Sequence, residues 1–583
     1  MTEMNFGLRK ERRKRMNGDG KTLEEVSRMK PRGRVLAALL AAVAIMATAC
    51  GSTSGGPAAQ AKVGGSLTID NESGGLWSCV FNPFNGSVTG LSVGIIYEPL
   101  VYDNLLTDKK TPLLASSYQW SPDNKTLTFT IRPGVKWSDG QSFTAADVVY
   151  TFNLLKQYPA IDLQSVWSVL TNVTLSGSDQ VVMTFGSSAV PYFFQIADQV
   201  SIVPQHIWST IKDPVGDNVP QPVGTGPFTM GQCTPQNITY TRNANYWQKG
   251  LPYLQTVNYP AFTDNDPANQ YLAAGQAQWG GQFIPNIDSY YVARDKAHNH
   301  YWFPPIDNIN LWFNMTRYPF TNKAVRQAFA YAIDRASVSQ KGEYGYEPAG
   351  NQTGVLTPTF SSWTDSSLTS RYKFDAAKAT SLLQGAGYTK SSAGVMADST
   401  GNKLSFTIIT IAGYTDWDAS LQIVADNLKQ IGVELKVADQ SSNDYFDHLF
   451  TGKFDLAYGS LSTLPGPSPY YELRNTLHSG TTAAIGQTAA GDYGRYKNPA
   501  VDALFDQFGA TTDSAKQHDL MKQIENVMLD DVPVIPVTEG VAWYEWSTKD
   551  FAGWPTPQDP YAAPAPWNLP DWEIVLTHLY KTT

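Results

Sequence analysis

This sequence of 583 residues has little charge, since Asp, Glu, Lys and Arg together make up 16% of it, against roughly a quarter in a typical soluble protein. An excess of positive charge is also absent from most of the chain. Residues 1–49 carry 11 Lys and Arg against 5 Asp and Glu, so residues 50–583 have a net charge of −15. That balance repels phosphate backbones and anionic lipids, and it excludes nucleic acid as an expected partner.

The N-terminal region lacks a hydrophobic run long enough to cross a membrane. The run Val35–Ala47 has 13 uncharged residues, whereas a transmembrane helix needs roughly 20. Because Lys30, Arg32 and Arg34 precede it, the run matches the apolar segment of a secretory signal peptide. We therefore expect residues 1–49 to be a signal peptide that is removed on export.

The segment Thr48–Ser52 places Cys50 directly after small residues. This arrangement resembles the lipobox of bacterial lipoproteins, in which cleavage before the cysteine frees a thiol that receives a diacylglycerol. The resemblance implies an extracytoplasmic protein anchored to the cell membrane by a lipid on Cys50, at the periplasmic or outer face. The alternative is an ordinary cleaved signal in which Cys50 is incidental. Residues 50–61 are rich in Gly, Ser and Ala and are expected to form a flexible tether.

Apart from Cys50, the chain has two cysteines, Cys79 and Cys233. In an oxidising compartment such an even pair favours a disulfide. Two separate buried thiols are the alternative, and the sequence leaves the choice open.

Two compact motifs, that of the zinc metalloproteases and that of the phosphate-binding loops, are missing as well. The chain has no His-Glu-x-x-His, and Gly18–Thr22 lacks the earlier glycine of a phosphate-binding loop. The seven histidines are scattered, and His298 and His300 are expected in a solvated turn. We therefore expect no metal and no cofactor. An exported carbohydrate-active enzyme stays open as an alternative, because two of the 47 acidic residues beyond residue 49 could form a catalytic pair.

Aromatic residues, in contrast, are abundant: they make up 12% of the chain, with 16 Trp and 30 Tyr. Many aromatic side chains and few charges suit a protein that encloses ligands between stacking surfaces. A large hydrophobic core is the alternative explanation.

Local patterns predict alternating strands and helices. Leu67 and Ile69 alternate with polar residues as a first strand, and Thr126–Ile131 with Val135–Trp137 is predicted as a hairpin around Pro133-Gly134. The predicted helices begin near residues 145, 323, 376 and 421. The first three have N-caps at Thr144, Asn322 and Asp375, and Gly432 ends the fourth. Val433, Leu435 and Val437 then form a strand. Helices followed by strands at this spacing indicate an α/β fold.

Several motifs occur in a fixed order along the chain. They are Tyr97–Leu100, Pro112–Ser117, Asp139-Gly140, Phe143–Phe152, Val223–Phe228, Asn245–Trp247, Gly250–Tyr253, Phe313-Asn314, Pro319–Ala328 and Ala332–Arg335. Taken together, they resemble the family 5 extracellular solute-binding proteins, the receptors of ABC importers for oligopeptides, dipeptides, nickel complexes and some oligosaccharides. The resemblance covers roughly residues 62 to 580.

The resemblance implies a two-lobed α/β clamp of the periplasmic-binding-protein type. Lobe I would comprise residues 62–305 and 536–583, with an extra subdomain at about 101–190, and lobe II residues 306–535. The hinge would lie at Pro304-Pro305 and Val534–Pro536. In this fold Val223–Phe228, with Gly224 and Gly226, is a packing turn and not a phosphate cradle. The protein would be a monomer that closes on its ligand and delivers it to ABC permease subunits.

The family's dominant specificity predicts an oligopeptide as the ligand. Peptide receptors of the family often hold the peptide ammonium with an Asp about ten residues after a Phe-Asp-Leu strand. Here Phe454–Tyr458 is followed by Gly459–Tyr470 without an acidic residue. Another carboxylate, such as Asp416, Asp418 or Asp444, could substitute; otherwise the ligand lacks an ammonium, and an oligosaccharide receptor of the same family is the alternative.

The segment Gly275–Asn286 resembles a part of the family in which a Trp lies near the cleft. Its Trp279, Gln282 and Asn286 are therefore expected to contact ligand, and the alternative is a turn whose Trp caps the core. Loops at strand ends face the cleft in such folds, so further aromatic residues are expected to contact ligand; they are Trp77, Phe81, Trp302, Tyr414, Trp417, Tyr445 and Tyr470.

Overall fold

The computed structural model describes residues 63–70, 75–85, 88, 92–357, 359–369, 371–460 and 466–582. The expected signal peptide, the lipid attachment at Cys50 and the tether lie outside the described residues. The strands are β1 (Ser66–Asp70), β2 (Val101–Asp103), β3 (Lys110–Pro112), β4 (Ala115–Trp120), β5 (Thr126–Ile131), β6 (Leu170–Ser176), β7 (Gln180–Phe185), β8 (Phe228–Thr234), β9 (Asn237–Arg242), β10 (Thr256–Pro260), β11 (Trp279–Gly280), β12 (Asn299–Tyr301), β13 (Pro305–Phe313), β14 (Thr389–Lys390), β15 (Met396–Ala397), β16 (Ser405–Ile411), β17 (Glu434–Gln440), β18 (Leu456–Gly459), β19 (Val534–Val541), β20 (Glu545–Ser547), β21 (Phe551–Ala552) and β22 (Tyr580–Lys581).

Helices pack around these strands. They are α1 (Ser92–Ile95, a single turn interrupted at Val93 and Gly94), α2 (Ala145–Gln157), α3 (Gln205–Trp208), α4 (Asn265–Ala273), α5 (Ile287–Tyr290), α6 (Lys323–Ala332), α7 (Arg335–Ser337), α8 (Ala376–Gly385), α9 (Thr415–Gln430), α10 (Ser442–Thr451), α11 (Pro469–Leu477), α12 (Pro499–Gly509), α13 (Ser514–Asp531) and α14 (Asp571–His578). In the part of the chain that the structure describes, none of the helices combines the length and the apolar character needed to span a bilayer.

Three sheets organise the molecule. A seven-stranded sheet has the order β12-β20-β11-β1-β10-β9-β8, a five-stranded sheet the order β17-β16-β18-β13-β19, and a four-stranded sheet the order β4-β5-β7-β6. Both large sheets mix parallel and antiparallel pairs; β1 pairs in parallel with β10, and β16 in parallel with β17. This is the mixed α/β architecture that the sequence predicts.

Two large hydrophobic cores follow this division. One core combines residues of the seven-stranded and four-stranded sheets with α2 and α14, and it includes Leu67 and Ile69 of β1. The other core is built on the five-stranded sheet and its helices, and it includes Leu311 of β13 and Ile408 of β16. Burial of alternate residues along β1 confirms the first predicted strand.

The helices predicted from capping patterns are confirmed. The Thr144 backbone N–H donates to the Asp147 carboxylate (2.9 Å) at the start of α2, which closes the capping box. Asn322 accepts from Ala324 N–H at the start of α6, and Asp375 accepts from Lys378 N–H at the start of α8. The left-handed Gly432 follows α9, and β17 comes next.

The predicted hairpin around Pro133-Gly134 is wrong. Strand β5 pairs with β4 on one edge and with β7 on the other, so no edge is left for Val135–Trp137. That segment instead turns back through a single bridge between Lys136 and Ser142, and the Trp137 ring is buried against Phe143.

The chain passes between the two large sheets twice, at residues 301–305 and 541–545, which we call the connecting ribbon. The two passages run antiparallel and stay hydrogen-bonded to each other, as when Ala542 N–H donates to Pro304 O (2.8 Å). The family resemblance implies that the second passage lies at Val534–Pro536. In the structure those residues are still inside β19, because that strand continues in the five-stranded sheet to Val541.

Candidate ligand-binding cleft

A cavity of about 290 Å³ lies beside the connecting ribbon, between the two large sheets. Its walls come from both sides of the molecule: α4, the loop after β11 and the segment before α14 on one side, and β13, β16 and α9 on the other. The lining residues are Asn265, Gly281, Gln282, Phe283, Asp307, Ile309, Glu347, Ile411, Tyr414, Asp416, Trp417, Phe446, Ser460, Gly540, Val541, Trp543, Trp567, Asn568 and Leu569.

Aromatic rings form much of the cavity wall. On the five-stranded-sheet side, Tyr414 and Trp417 meet edge to face with ring centroids 5.0 Å apart. On the opposite side, Phe283 meets Trp543 edge to face at 5.5 Å. Trp567 is 36% exposed, so its ring lies at the rim of the cavity. Such rings offer flat apolar surfaces to a ligand from both sides.

Gly459 fixes the position of the Trp417 ring. This glycine ends β18 with φ of +156°, and a Cβ atom there would lie 2.9 Å from the Trp417 ring. It would also overlap the Tyr445 hydroxyl. Only a residue without a side chain allows the Trp417 ring to pack this closely against the strand end.

Hydrogen bonds connect the two walls directly. The side-chain amide of Asn265, on α4, donates to Thr415 Oγ1 (3.2 Å) and to Asp416 Oδ1 (3.4 Å), both on α9. Asn265 N–H also donates to Gly413 O (3.3 Å). The cavity is therefore enclosed by groups that hold the two halves of the molecule together at one edge.

Carboxyl groups lie in the wall opposite Gln282. Asp416 and Glu347 are 3% and 1% exposed. Burial raises the pKa of Asp416, and backbone N–H groups at the start of α9 oppose this change. Burial also raises the pKa of Glu347, and the nearby Asp416 adds to that increase. The cavity wall thus holds ionisable groups that keep protons to a higher pH than exposed carboxyls do.

Three of the ten residues proposed from the sequence line the cavity: Gln282, Tyr414 and Trp417. Gln282 is buried, and its side-chain amide donates to Asp70 Oδ2 (3.4 Å) while its oxygen accepts from Gly281 N–H (3.0 Å). These bonds hold the Gln282 side chain against the loop that follows β11.

The other seven candidates do not line the cavity. Phe81 and Trp279 are buried in the core of the seven-stranded sheet, and the Trp279 indole N–H donates to Pro564 O. Tyr445 and Tyr470 are fully buried; the Tyr445 hydroxyl donates to Tyr458 O, and the Tyr470 ring stacks on Phe508. The remaining three are Trp77, which packs on Tyr259, Asn286, which precedes α5, and Trp302, which lies on the connecting ribbon.

Sequence reasoning missed several lining residues. Phe283 lies inside the segment Gly275–Asn286, next to the candidate Gln282, but is not among the residues proposed there. Trp543 comes near a strand end and stands in no motif that marks it. Trp567 and Asn568 lie in the proline-rich segment that precedes α14. An aromatic residue in a proline-rich loop is a pattern that could have marked Trp567 as a ligand-binding candidate. Glu347 lacked any local signal, because its role depends on Asp416, 69 positions away in the sequence.

The run Gly90–Gly94 has the letters G-x-S-x-G of a nucleophile elbow. In that elbow the serine is exposed at the top of a sheet. Ser92 is instead 0% exposed, and Gly94 packs against the Trp572 indole. A substrate therefore has no access to the Ser92 hydroxyl.

Cys79 and Cys233 form a disulfide in the structure. It joins the loop after β1 to β8, at the end of the seven-stranded sheet that is farthest from β12.

A family profile matches most of the described chain. The profile of the bacterial extracellular solute-binding proteins, family 5, matches residues 109–483, which is more than half of the sequence. The chain belongs to this family. The resemblance seen in the sequence is thereby confirmed, and family 5 binding proteins act outside the cytoplasm, as their description states.

Curated relatives of this family 5 protein are binding proteins. The oligopeptide-binding protein OppA of Bacillus subtilis is 25% identical over 483 residues, which cover 78% of this chain and 84% of that protein. The probable peptide-binding protein YejA of Agrobacterium fabrum is 23% identical over 505 residues, covering 77% and 80%.

Solved structures confirm the two-lobed fold. A periplasmic oligopeptide-binding protein of Thermotoga maritima, with mannohexaose bound, has a TM-score of 0.83 at 25% identity and covers 89% of this chain and 98% of its own. AppA of Bacillus subtilis, in complex with a nonapeptide, has a TM-score of 0.76 at 21% identity and covers 90% and 100%. Because the relatives are binding proteins, this family 5 protein is a solute-binding protein and not an enzyme, and the carbohydrate-active enzyme is set aside.

Proposed function

We propose that this protein is the receptor of an ABC importer that captures an oligopeptide in the cavity between the two large sheets and delivers it to permease subunits. In this proposal the halves of the molecule that meet at the connecting ribbon are the two lobes. The ligand favours the closed state because it contacts both of them at once.

The observation that carries the proposal is the composition of the cavity wall. It combines amide groups of Asn265, Gln282 and Asn568 with carboxyl groups of Glu347 and Asp416. A peptide presents N–H donors, carbonyl acceptors and an ammonium, and these groups complement amide and carboxyl side chains. The relatives named as oligopeptide-binding and peptide-binding support the same ligand class.

A second candidate ligand is an oligosaccharide. The aromatic rings of Trp417, Trp543 and Trp567 can stack on the apolar faces of sugar rings, and the Thermotoga neighbour was solved with mannohexaose bound. In that case the amide side chains would bind sugar hydroxyl groups.

The experiment that separates the candidates uses the unmodified protein. Ligand that co-purifies from the native host is eluted by denaturation and identified by mass spectrometry, and thermal unfolding is then measured with penta-alanine or mannohexaose. A ligand at 100 times its Kd stabilises the folded state by about 2.7 kcal/mol. Stabilisation by the peptide supports the proposal; stabilisation by the sugar alone replaces it with the second candidate, and no response to either rejects both.

The proposal includes a lipid anchor on Cys50. The apolar run before this residue and the small residues beside it support cleavage and lipid attachment. In the native host, the unmodified protein is expected in the membrane fraction, and a Cys50→Ser variant is expected in the soluble extracytoplasmic fraction. Membrane association of the variant would contradict the anchor.

A further inference from the structure

Aromatic side chains connect the two lobes outside the cavity. Lobe I is the half with the seven-stranded and four-stranded sheets, and lobe II is the half with the five-stranded sheet. The Phe194 ring of lobe I contacts the Tyr471 ring of lobe II, with centroids 5.3 Å apart. The Tyr192 ring meets the Tyr470 ring edge to face at 6.1 Å, and the Arg474 guanidinium lies 5.3 Å from the centroid of the Tyr192 ring. We call these five residues the closing latch.

The four-stranded sheet carries the lobe I side of the closing latch. The Phe193 ring packs on Tyr118 of β4 and on Phe129 of β5, with centroids 4.5 Å and 6.4 Å apart, and so anchors the segment that follows β7. The next residue, Phe194, is buried in the core of lobe II, as is Leu105, which follows β2. Two consecutive rings thus belong to the cores of different lobes, and the four-stranded sheet contacts lobe II through them.

The closing latch is separate from the ligand cavity. Among the described residues that line the cavity, none belongs to the latch. The latch also differs from the contacts of Asn265, because these involve α9, whereas Tyr470, Tyr471 and Arg474 lie on α11. Closure of the lobes therefore forms the latch without any contact to a ligand.

Separation of the lobes would expose part of the closing latch to water. Phe194, Tyr470 and Tyr471 are all buried in the structure. Removing such ring surface from water is favourable, and the contacts between rings and between a cation and a ring add to this effect. The latch therefore stabilises the closed conformation relative to an open one.

We infer that the four-stranded sheet promotes closure: its latch brings the two lobes together before a ligand contributes, so that part of the closing free energy comes from contacts outside the cavity. This inference rests on the proposed function, in which the lobes close on a ligand. The ligand supplies only the remainder of the closing free energy, and the ligand-free protein is closed for part of the time. The latch also slows release, because the lobes must separate before the ligand leaves.

Two variants weaken the closing latch in different ways. Tyr192→Ala removes the ring that contacts Tyr470 and Arg474. Gly509→Leu keeps every latch side chain and places a new side chain between the lobes. A Cβ atom at Gly509, the last residue of α12, would already lie 3.4 Å from both the Tyr192 ring and the Tyr470 hydroxyl, so the rest of a leucine has no room in the closed conformation.

Matched controls change the same residue types elsewhere. Tyr158 is half-buried like Tyr192, but it packs on the core of lobe I, so Tyr158→Ala leaves the closing latch intact. Gly385 ends α8, and a Cβ there meets nothing within 4 Å, so Gly385→Leu has room for its side chain.

Ligand release is measured by stopped-flow fluorescence of the tryptophans that line the cavity, with penta-alanine and with mannohexaose as probes. Each latch variant should release a bound probe about ten times faster than the unmodified protein. The association rate constant should stay the same or increase, because only the open conformation admits a ligand. A purely structural defect would instead lower the fraction of folded protein and leave the release rate of that fraction unchanged.

Small-angle scattering tests the closing latch without a ligand. The ligand-free Gly509→Leu variant should have a larger radius of gyration than the ligand-free unmodified protein, because the new side chain shifts the lobes towards the open conformation. Gly385→Leu should scatter like the unmodified protein. If Tyr192→Ala fails to fold, Gly509→Leu decides the matter by both measurements.

Unchanged release rates in the latch variants, equal acceleration in the controls, or an unchanged radius of gyration of Gly509→Leu would overturn the inference and leave the proposed function standing. Failure of both probes to bind would reject the proposed function, and the scattering comparison would then decide on the latch alone.

Discussion

Cys79 and Cys233 are joined by a disulfide, with their Cα atoms 5.9 Å apart and a separation of 154 positions in the sequence. Such a long closed loop restricts the unfolded chain, and loss of a native disulfide typically costs about 2 to 5 kcal/mol. We expect the Cys79→Ser variant to unfold at a clearly lower temperature in calorimetry. A reductant should lower the Tm of the unmodified protein towards that of the variant.

The double variant Cys79→Ser/Cys233→Ser is the control for this prediction. It should match the single variant within about 0.5 kcal/mol, because both remove the same bond. A Tm of the unmodified protein that does not respond to reductant would argue against a bonded pair.

Gly224 is expected to tolerate no side chain. A Cβ atom at this position would overlap the carbonyl oxygen of Ile96, which is backbone and cannot move aside. We expect Gly224→Ala to give little folded protein, as judged by soluble yield and circular dichroism. Gly385→Ala is the matched control, because a Cβ there meets nothing within 4 Å and Ala favours the helix by about 1 kcal/mol. Normal folding of Gly224→Ala would mean that this turn is not packed against residue 96.

Stability should fall as the pH rises from about 5 to 8. Glu539 is buried on β19, and burial raises its pKa from 4.5 to about 7. The folded state therefore binds more protons than the unfolded state between these values, so the free energy of unfolding decreases with pH across this window. The Glu539 contribution is up to about 3 kcal/mol.

The variant Glu539→Gln tests this pH dependence. Its amide oxygen can still accept the hydrogen bonds that Thr357 donates to Glu539 Oε1. Because glutamine does not titrate, we expect the difference in Tm between pH 5 and pH 8 to be smaller than in the unmodified protein. The exposed Glu434→Gln should leave that difference unchanged, and an unaltered difference in both variants would assign the effect to other groups.

Trp567 is expected to contribute to ligand affinity without contributing much to stability. Its ring lies at the rim of the cavity, so replacing it by Ala removes a stacking surface but leaves no buried void. We expect Trp567→Ala to weaken ligand binding about tenfold, measured by titration with the co-purified ligand, with a nearly constant Tm. Phe374→Ala, at an exposed position away from the cavity, should bind normally. Unchanged affinity of Trp567→Ala would place the ligand elsewhere.

The sequence was most informative where structure depends on near neighbours. The α2 capping box involves Thr144 and Asp147, and the end of α9 depends on Gly432, so both patterns are visible within one helical turn. Strand pairing is different, because β5 selects β7, about 50 positions later, instead of Val135–Trp137 beside it. A pattern of alternating residues predicts a strand but not its partner.

The cavity lining was predictable only in part, because it too depends on contacts between segments that are distant in the sequence. Trp279 on β11 and Trp417 on α9 were both candidates, yet Trp279 is covered by Trp554 and Trp417 faces the cavity. The difference comes from which segments pack above each ring, and these segments are distant in sequence. Glu347 and Asp416 are brought together by tertiary packing alone.

The connecting ribbon has a consequence for motion. Because Pro304 and Ala542 are hydrogen-bonded neighbours, the two covalent links between the large sheets cannot bend independently. They form a single hinge axis. Rotation about this axis keeps the hydrogen bonds between the two links, whereas sliding or twisting one sheet past the other would break them. A molecule connected in this way has one principal motion, which is rotation of one large sheet relative to the other about the connecting ribbon. Distances measured across the cavity mouth should therefore all increase or decrease together.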